Sequence, residues 1–90
     1  MSAALLNLSY KQKDLTASEK SILCRLAWHA NSKNLAWPSI ASLHQDTSVS
    51  EKTIKNSLKS LIAKNLIIKS GAYRGSTKQI PVYIINLKEG

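Results

Sequence analysis

The residues best suited to chemistry lie in the stretch TSVSEKTIKNSLKSLI, which covers residues 47–62. Its aliphatic residues recur three and four positions apart, as on the buried face of a helix. On a wheel of about 100° per residue, the opposite face presents Lys52, Asn56 and Lys59. An asparagine amide pairs a donor with an acceptor, as adenine requires, and a lysine donates to guanine or to an anion. This face suits hydrogen bonding and charge pairing, although most charged helix faces contact only water.

The charge balance favours an anionic partner. The 90 residues include thirteen Lys and Arg against five Asp and Glu, which gives a formal net charge of +8. Four of the five acids precede residue 52, and the eight basic residues from Lys52 to Lys88 have no acid among them. A surface that serves only solubility usually mixes both signs. The second half of the chain therefore predicts an anion-binding face.

Other classes of function find little support. Cys24 is the one cysteine, so no internal disulfide can form, which fits a reducing, cytoplasmic compartment. No apolar run has the length of a membrane span, and no basic segment precedes a long apolar one as in a signal peptide. His29 and Cys24 do not share a helix face, His44 stands alone, and no spacing matches zinc ligands. We expect no catalysis, no metal, no cofactor and no membrane contact.

Two helices are expected in the first half of the chain. Residues 16–19, Thr-Ala-Ser-Glu, match a capping box, and the apolar spacing behind them predicts a helix at about 17–30. Pro38 suits the first turn of a helix, and the residues after it predict a short second helix at about 38–45.

A third helix is expected over about residues 50–64. Ser50 is a good N-cap, and Asn65 is a suitable C-cap. Glu51 falls near the core side of the wheel, so we expect it to stabilise the helix start and not to contact a ligand.

The last part of the chain predicts a β-hairpin. Residues 66–69 and 80–87 are short apolar runs rich in β-branched side chains, and the polar, basic segment 70–79 lies between them as a long tip. Pro81 must lie near the start or the edge of its strand, where its missing N–H is not needed. The expected fold is mainly α with a small β-sheet (α+β), with three helices followed by a hairpin.

The segment 37–67, WPSIASLHQDTSVSEKTIKNSLKSLIAKNLI, resembles the core of the winged helix-turn-helix domains of bacterial, phage and plasmid replication initiators and regulators. In that family a Trp-Pro-Ser opens the second helix, a Val-Ser turn follows, and a Leu-Ile step leads into the wing. Residues 15–31, LTASEKSILCRLAWHAN, are similar to the first helix of the family. Ser48 stands where many members carry glycine. The resemblance implies double-stranded DNA binding, with the third helix, about 50–64, in the major groove.

The wheel and the resemblance together give the candidate DNA contacts. Lys52 and Asn56 are the candidate base contacts on the third helix. Phosphate contacts are expected from Ser39, Thr53, Lys55, Lys59 and Lys69. The wing, about residues 70–79, is expected to contact the backbone or the minor groove through Tyr73, Arg74, Ser76, Thr77 and Lys78.

Three larger side chains outside this set are expected to be structural or solvated. We expect Trp37 to cover the core and Trp28 to be packed or to join a protein interface. Lys64 is expected to contact only water.

The domain is expected to span residues 15–90, with residues 1–14 as a separate N-terminal segment. The leucines of that segment could form a short strand or a helical turn that packs on the body. They could equally serve a homodimer, which would pair on a palindromic site.

Two roles for a DNA-binding domain stay open. One is the origin-binding domain of a replication initiator that meets other replication proteins, and the ending LKEG fits a longer parent chain. The other is a small transcriptional regulator in the cytoplasm, associated with the nucleoid. A protein-interaction winged helix without DNA binding is the alternative from another class, and structured RNA is a third possible target.

Overall fold

The computed structural model describes residues 3–87, which form four helices and one three-stranded antiparallel sheet. The helices are α1 (Ala3–Lys11), α2 (Ala17–His29), α3 (Ile40–Thr47) and α4 (Glu51–Ala63). The strands are β1 (Leu35–Ala36), β2 (Ile67–Arg74) and β3 (Ile80–Ile85), in the order β1-β3-β2. This confirms the expected α+β fold with a C-terminal hairpin wing and adds one helix to it.

The starts of α2 and α3 depend on hydroxyl caps. The Thr16 hydroxyl accepts from the Glu19 amide at 3.1 Å, and the Thr16 amide donates to Glu19 Oε1 at 2.9 Å, so the capping box is confirmed. Helix α3 was expected to begin at Pro38, which is wrong. Ser39 is its N-cap and accepts from the Ser42 amide at 3.0 Å, because the serine hydroxyl satisfies a free amide of the first turn.

The end of α4 is closed by Asn65. Its φ of +59° is left-handed, its amide donates to the Ile62 carbonyl, and the Leu66 amide donates to the Leu61 carbonyl, both at 3.0 Å. These two bonds form a Schellman motif, in which asparagine tolerates the left-handed position better than most residues. The chain thus turns directly from α4 into β2.

The core lies between α2, α4 and the sheet. Its fully buried side chains include Ile22 and Leu26 of α2, Ile54 and Leu61 of α4, and Ile67 of β2. None of the helices within residues 3–87 is long and apolar enough to cross a bilayer.

The N-terminal segment contains a nine-residue helix, which is longer than the expected helical turn. Leu5 of α1 joins the core, and the hydroxyl of the buried Ser9 donates to the Leu6 carbonyl at 2.6 Å and contacts Cys24 Sγ at 3.3 Å. A helix this short is marginal in isolation. The helix therefore depends on its packing against α2, and its own residues show no clear helical pattern.

The wing is a longer ribbon than expected, because β2 continues to Arg74 instead of ending at residue 69. The ladder is interrupted between Lys69 and Tyr73, where Gly71 has a φ of +85°, and it resumes with Tyr73 opposite Pro81. A β-bulge can contain a glycine with positive φ without ending the strand, so Gly71 does not mark a turn here. Pro81 lies near the start of β3, outside the stretch that pairs with β1.

The tip of the wing consists only of residues 75–79. Gly75 has a φ of +95°, and the Lys78 amide donates to its carbonyl at 3.0 Å. The left-handed φ favours glycine at this position, and a Cβ there would lie 3.2 Å from the Ile80 side chain, which would have to shift slightly. Tyr73 and Arg74 consequently lie on a strand and not in the tip.

Candidate nucleic-acid interface

The turn between α3 and α4 fixes the angle at which α4 leaves the body. Ser48 has a left-handed φ of +61°, which costs a non-glycine residue about 1 kcal/mol. Side chains brace the turn on both sides of it. His44 Nδ1 donates to the Val49 carbonyl at 2.7 Å, and the Thr47 hydroxyl donates to the Leu43 carbonyl at 2.6 Å. Serine in place of the glycine found in many family members therefore adds local backbone strain, but the turn keeps its helix-turn-helix geometry.

Helix α4 presents a polar stripe, which comprises Lys52, Lys55, Asn56 and Lys59, all exposed. The opposite side carries Ile54, Leu58 and Leu61, which are buried. The helical wheel placed Lys52, Asn56 and Lys59 on the exposed side correctly, and Lys55, which it placed on the flank, is exposed as well. A contact of any of these four with DNA stays a prediction. Glu51 was expected near the core side but is exposed, because it begins α4 outside the packed turns.

One flank of α4 is fastened to the start of α2 by a carboxylate. Glu19 Oε2 accepts from the Ser60 hydroxyl at 2.5 Å and from Lys64 Nζ at 2.9 Å. Lys64 also donates to the Asp14 carbonyl at 3.1 Å, so the expectation that it contacts only water is wrong. The Ser60 hydroxyl, the Thr16 amide and the Lys64 ammonium lower the pKa of Glu19 to about 2.

Two of the candidate phosphate contacts already take part in the capping of a helix, Ser39 as the N-cap of α3 and Thr53 as a partner of the N-cap Ser50 of α4. The Ser39 hydroxyl accepts from the Ser42 amide, and the Thr53 hydroxyl accepts from the Ser50 hydroxyl at 2.9 Å. Ser39 and Thr53 are also only partly exposed. Each hydroxyl keeps its own O–H donor, which can donate to a phosphate, so both residues stay candidates.

The candidate residues of the wing are all exposed. Lys69 and Tyr73 lie on either side of the β2 bulge, and Arg74 ends the strand. The guanidinium carbon of Arg74 lies 5.1 Å from the ring centroid of Trp37, which precedes α3 and is 37% exposed. The tip carries the remaining three candidates, which are Ser76, Thr77 and Lys78.

A small cavity shows how the wing joins the helix-turn-helix unit. It has a volume of about 120 Å³ and is lined by Ser39 at the start of α3, Leu58 of α4, and Ile80 and Pro81 of β3, among others. The start of α3, the middle of α4 and the first residues of β3 therefore meet at one place. Of the candidate contacts, Ser39 lines this cavity.

A second polar cluster lies between α2 and α3 and was missed by the sequence analysis. Arg25 Nε donates to Asp46 Oδ2 at 2.8 Å, His29 Nε2 lies 3.7 Å from the same oxygen, and the Arg25 guanidinium lies 4.2 Å above the Trp28 ring. The Arg25 hydrogen bond is the main reason why the pKa of Asp46 is lowered. Arg25, Trp28 and His29 are neighbours on α2, but Asp46 lies 21 residues after Arg25, so no local pattern could have indicated the carboxylate that joins them.

The arrangement offers cations, amides and hydroxyls. Among residues 3–87, no three His, Cys, Asp or Glu side chains converge as metal ligands do. The chemistry that this surface can perform is hydrogen bonding and charge neutralisation of an anionic ligand.

Comparison with known proteins gives one family match. The model of the helix-turn-helix domain family matches residues 13–67, which include α2, β1, α3 and α4. No curated protein and no solved structure matches the chain significantly. The matched segment is more than half of the chain and contains both helices of the motif together with the braced turn between them. The chain therefore belongs to the helix-turn-helix domain family, whose membership indicates DNA binding.

Proposed function

We propose that the domain binds double-stranded DNA by placing α4 in the major groove. The observation that carries this proposal is the exposed stripe of Lys52, Lys55, Asn56 and Lys59 on the second helix of the motif. The opposite side of the same helix is buried, and one flank is fastened through Glu19. A helix held in this way can enter a groove about 12 Å wide without losing its own packing.

Within the stripe, Asn56 and Lys52 read base edges, and Lys55 and Lys59 neutralise phosphates. The Asn56 amide can grip adenine with two hydrogen bonds, and Lys52 lies in the first turn of α4, which in a recognition helix comes nearest to the base edges. Lys55 and Lys59 act as point charges on the phosphates. The wing extends the contact along the backbone through Lys69, Arg74 and Lys78 or sends Arg74 into the minor groove.

The salt dependence of binding tests the proposal. If about six basic residues contact phosphates, the logarithm of affinity falls against the logarithm of salt concentration with a slope of about −5. Fluorescence anisotropy of a labelled duplex, between about 50 and 200 mM salt, would then show a loss of about 1000-fold. An affinity that ignores salt would contradict DNA binding. Competition with a structured RNA of equal length separates the two nucleic acids, and stronger competition by RNA would reject duplex DNA as the target.

The finer role that the resemblance favours is origin binding for a phage or plasmid replication initiator. Selection of bound duplexes from a random pool would give the recognised motif, and its symmetry would report whether two copies bind together. The motif is then located on the replicon that encodes the chain. Repeats clustered at a replication origin support the initiator role, and single sites at promoters would replace it with transcriptional regulation.

A further inference from the structure

The direction of the wing depends on few contacts with the body. In β2, Ile67 is buried while residues 68–74 are all exposed. β3 is held by its pairing with β1 and by its buried residues from Val82 onward, but nearer the tip the wing is a two-stranded ribbon. Such a ribbon has little stability of its own, so its contacts with the body decide where this outer part lies. Ile80 and Pro81, which adjoin the tip, supply a contact with the start of α3, in the cavity next to Ser39. Arg74 supplies a second contact, through Trp37.

The Arg74–Trp37 pair joins two well-ordered stretches of backbone. Arg74 is paired with Ile80 in the wing ladder, and Trp37 is followed by Pro38 and by the N-cap of α3. Proline fixes its own φ and restricts the residue before it. The distance of 5.1 Å lies within the range of about 6 Å for a cation over an indole face. The stack therefore bridges the wing to the start of α3 with little slack on either side.

The stack leaves the hydrogen-bonding capacity of Arg74 unused. The guanidinium carbon lies over the ring, and the five N–H donors of a guanidinium fan out around it in one plane. Within residues 3–87, the Arg74 guanidinium has no hydrogen bond and no carboxylate partner. Trp37 thus restricts the side chain without consuming its donors, which reduces the entropy lost when the donors meet a phosphate.

We propose that Trp37 is a positioning residue for DNA binding, which holds Arg74 and the wing against the start of α3. In this arrangement the wing and the helix-turn-helix unit present one surface before DNA arrives. The inference rests on the proposed function, since it assigns a role within the same interface.

The test is a double-mutant cycle on duplex affinity, with Trp37→Leu, Arg74→Ala and the double variant. Trp37→Leu should weaken binding about two- to five-fold, as expected for an exposed cation–π contact. Arg74→Ala should weaken it at least as much and make the salt slope shallower by about 0.9. The double variant should bind no more weakly than Arg74→Ala, because Trp37 acts through Arg74. Trp28→Leu, which removes the other exposed indole, is the matched control and should bind as the wild type does.

Two further measurements keep a folding defect from imitating the result. Trp37→Phe keeps an aromatic face and should recover part of the affinity lost in Trp37→Leu. In the free protein, the proton resonances of the Arg74 side chain should be shifted upfield by the indole ring, and Trp37→Leu should abolish the shift.

Additive losses in the cycle, or wild-type affinity of Trp37→Leu, would overturn the positioning role while leaving DNA binding intact. If the wild type showed no salt-dependent duplex binding, the proposed function would fail and the positioning role with it.

Discussion

Two arginine–tryptophan pairs lie in different regions of the molecule, and only one of the two arginines is bound to a carboxylate. Arg25 lies 4.2 Å above the Trp28 ring, and its Nε donates to Asp46 at 2.8 Å. Arg74 lies 5.1 Å from the Trp37 ring and has no carboxylate partner among residues 3–87. The first pair is completed internally and ties α2 to α3. The second pair leaves the N–H donors of Arg74 unpaired in the described part of the chain, as the proposed contact with an anion requires.

The same contrast applies to the lysines. Lys64 of the α4 end is bound to Glu19, whereas Lys52, Lys55 and Lys59 have no carboxylate within ion-pair distance in the described part of the chain. Some lysines outside the interface, such as Lys11, also have no such partner. Lack of an acid partner is therefore necessary for a candidate contact but not sufficient, and position on the helix-turn-helix unit must supply the rest.

The largest effect should come from reversing two unpaired charges on the stripe. Lys52→Glu combined with Lys55→Glu is expected to weaken duplex binding about 100-fold or more, because two cations become repulsive at the phosphates. The control is Lys11→Glu with Lys33→Glu, which changes the net charge equally. Lys33 precedes β1, whose Leu35 pairs with Ile84, so it lies at the end of the sheet away from the wing tip.

Anisotropy titrations of both double variants at one salt concentration make the comparison. Equal losses in the two would mean that DNA responds only to net charge, which would break the distinction between the stripe and the other lysines. Retained binding of a protein partner by the stripe variant, with no duplex binding by the wild type, would favour the protein-interaction alternative.

A paired group should show the opposite behaviour, with stability lost and affinity kept. Glu19→Gln removes the charge that Ser60, Lys64 and the Thr16 amide all stabilise, so the free energy of unfolding should fall by about 2 kcal/mol. Urea unfolding measures the loss, and anisotropy under native conditions should show unchanged duplex affinity. A weaker affinity without a loss of stability would mean that Glu19 also sets the position of α4.

The pH dependence of the wild type follows from the same carboxylate. Because the pKa of Glu19 is lowered from its usual 4.5 to about 2, its contribution to stability is complete above about pH 5. The contribution is lost as pH falls from 4.5 through about 2, where the folded state takes up the proton. Urea unfolding at a series of pH values should show this decline. In Glu19→Gln it should be smaller, and Asp46, whose pKa is also lowered, should account for what remains.

Asn56 should control sequence preference, in contrast to its neighbour on the stripe. Asn56→Ala is expected to reduce discrimination against a mismatched adenine position by about ten-fold, because it removes the paired donor and acceptor. Lys55→Ala should weaken all duplexes alike and make the salt slope shallower by about 0.9. Titrations with the selected motif and a scrambled duplex separate the two effects. If Lys55→Ala changed the sequence preference and Asn56→Ala weakened all duplexes alike, the assignment of base and phosphate contacts on α4 would be wrong, although the family would be the same.

The two arginines themselves give a smaller and reciprocal prediction. Arg25→Ala should lower stability slightly, as for an exposed ion pair, and should leave duplex affinity unchanged. Arg74→Ala should leave urea unfolding unchanged and weaken duplex binding a few-fold. Loss of affinity in Arg25→Ala would show that an arginine bound to a carboxylate can also contact DNA, so a carboxylate partner would no longer separate structural from binding arginines.

Sequence patterns predicted what lies within one element and missed what joins two. The capping box at Thr16, the exposed stripe of α4 and the hairpin all follow from spacing along a short stretch. The Glu19 bonds to Ser60 and Lys64 span 41 and 45 residues, and the Arg25 bond to Asp46 spans 21. No local periodicity encodes such pairs, since tertiary packing alone brings them together. For α1 the sequence left a short strand and a helical turn open, because packing on α2 and not a pattern of its own stabilises this helix.

The smallest effect should come from the turn, where backbone geometry and not charge is at issue. Ser48 is exposed and left-handed with a φ of +61°, so Ser48→Gly should raise the free energy of unfolding by about 0.5 kcal/mol. The gain is limited, since glycine loses more backbone freedom on folding. Ser48→Ala is the control, because it removes the hydroxyl but keeps the strain, and its stability should not rise. His44 and Thr47 still brace the turn in both variants, so urea unfolding should change while duplex affinity stays constant. A changed affinity in Ser48→Gly would show that strain at this residue sets the angle of α4. The turn would then contribute to DNA binding together with the unpaired cations of the stripe.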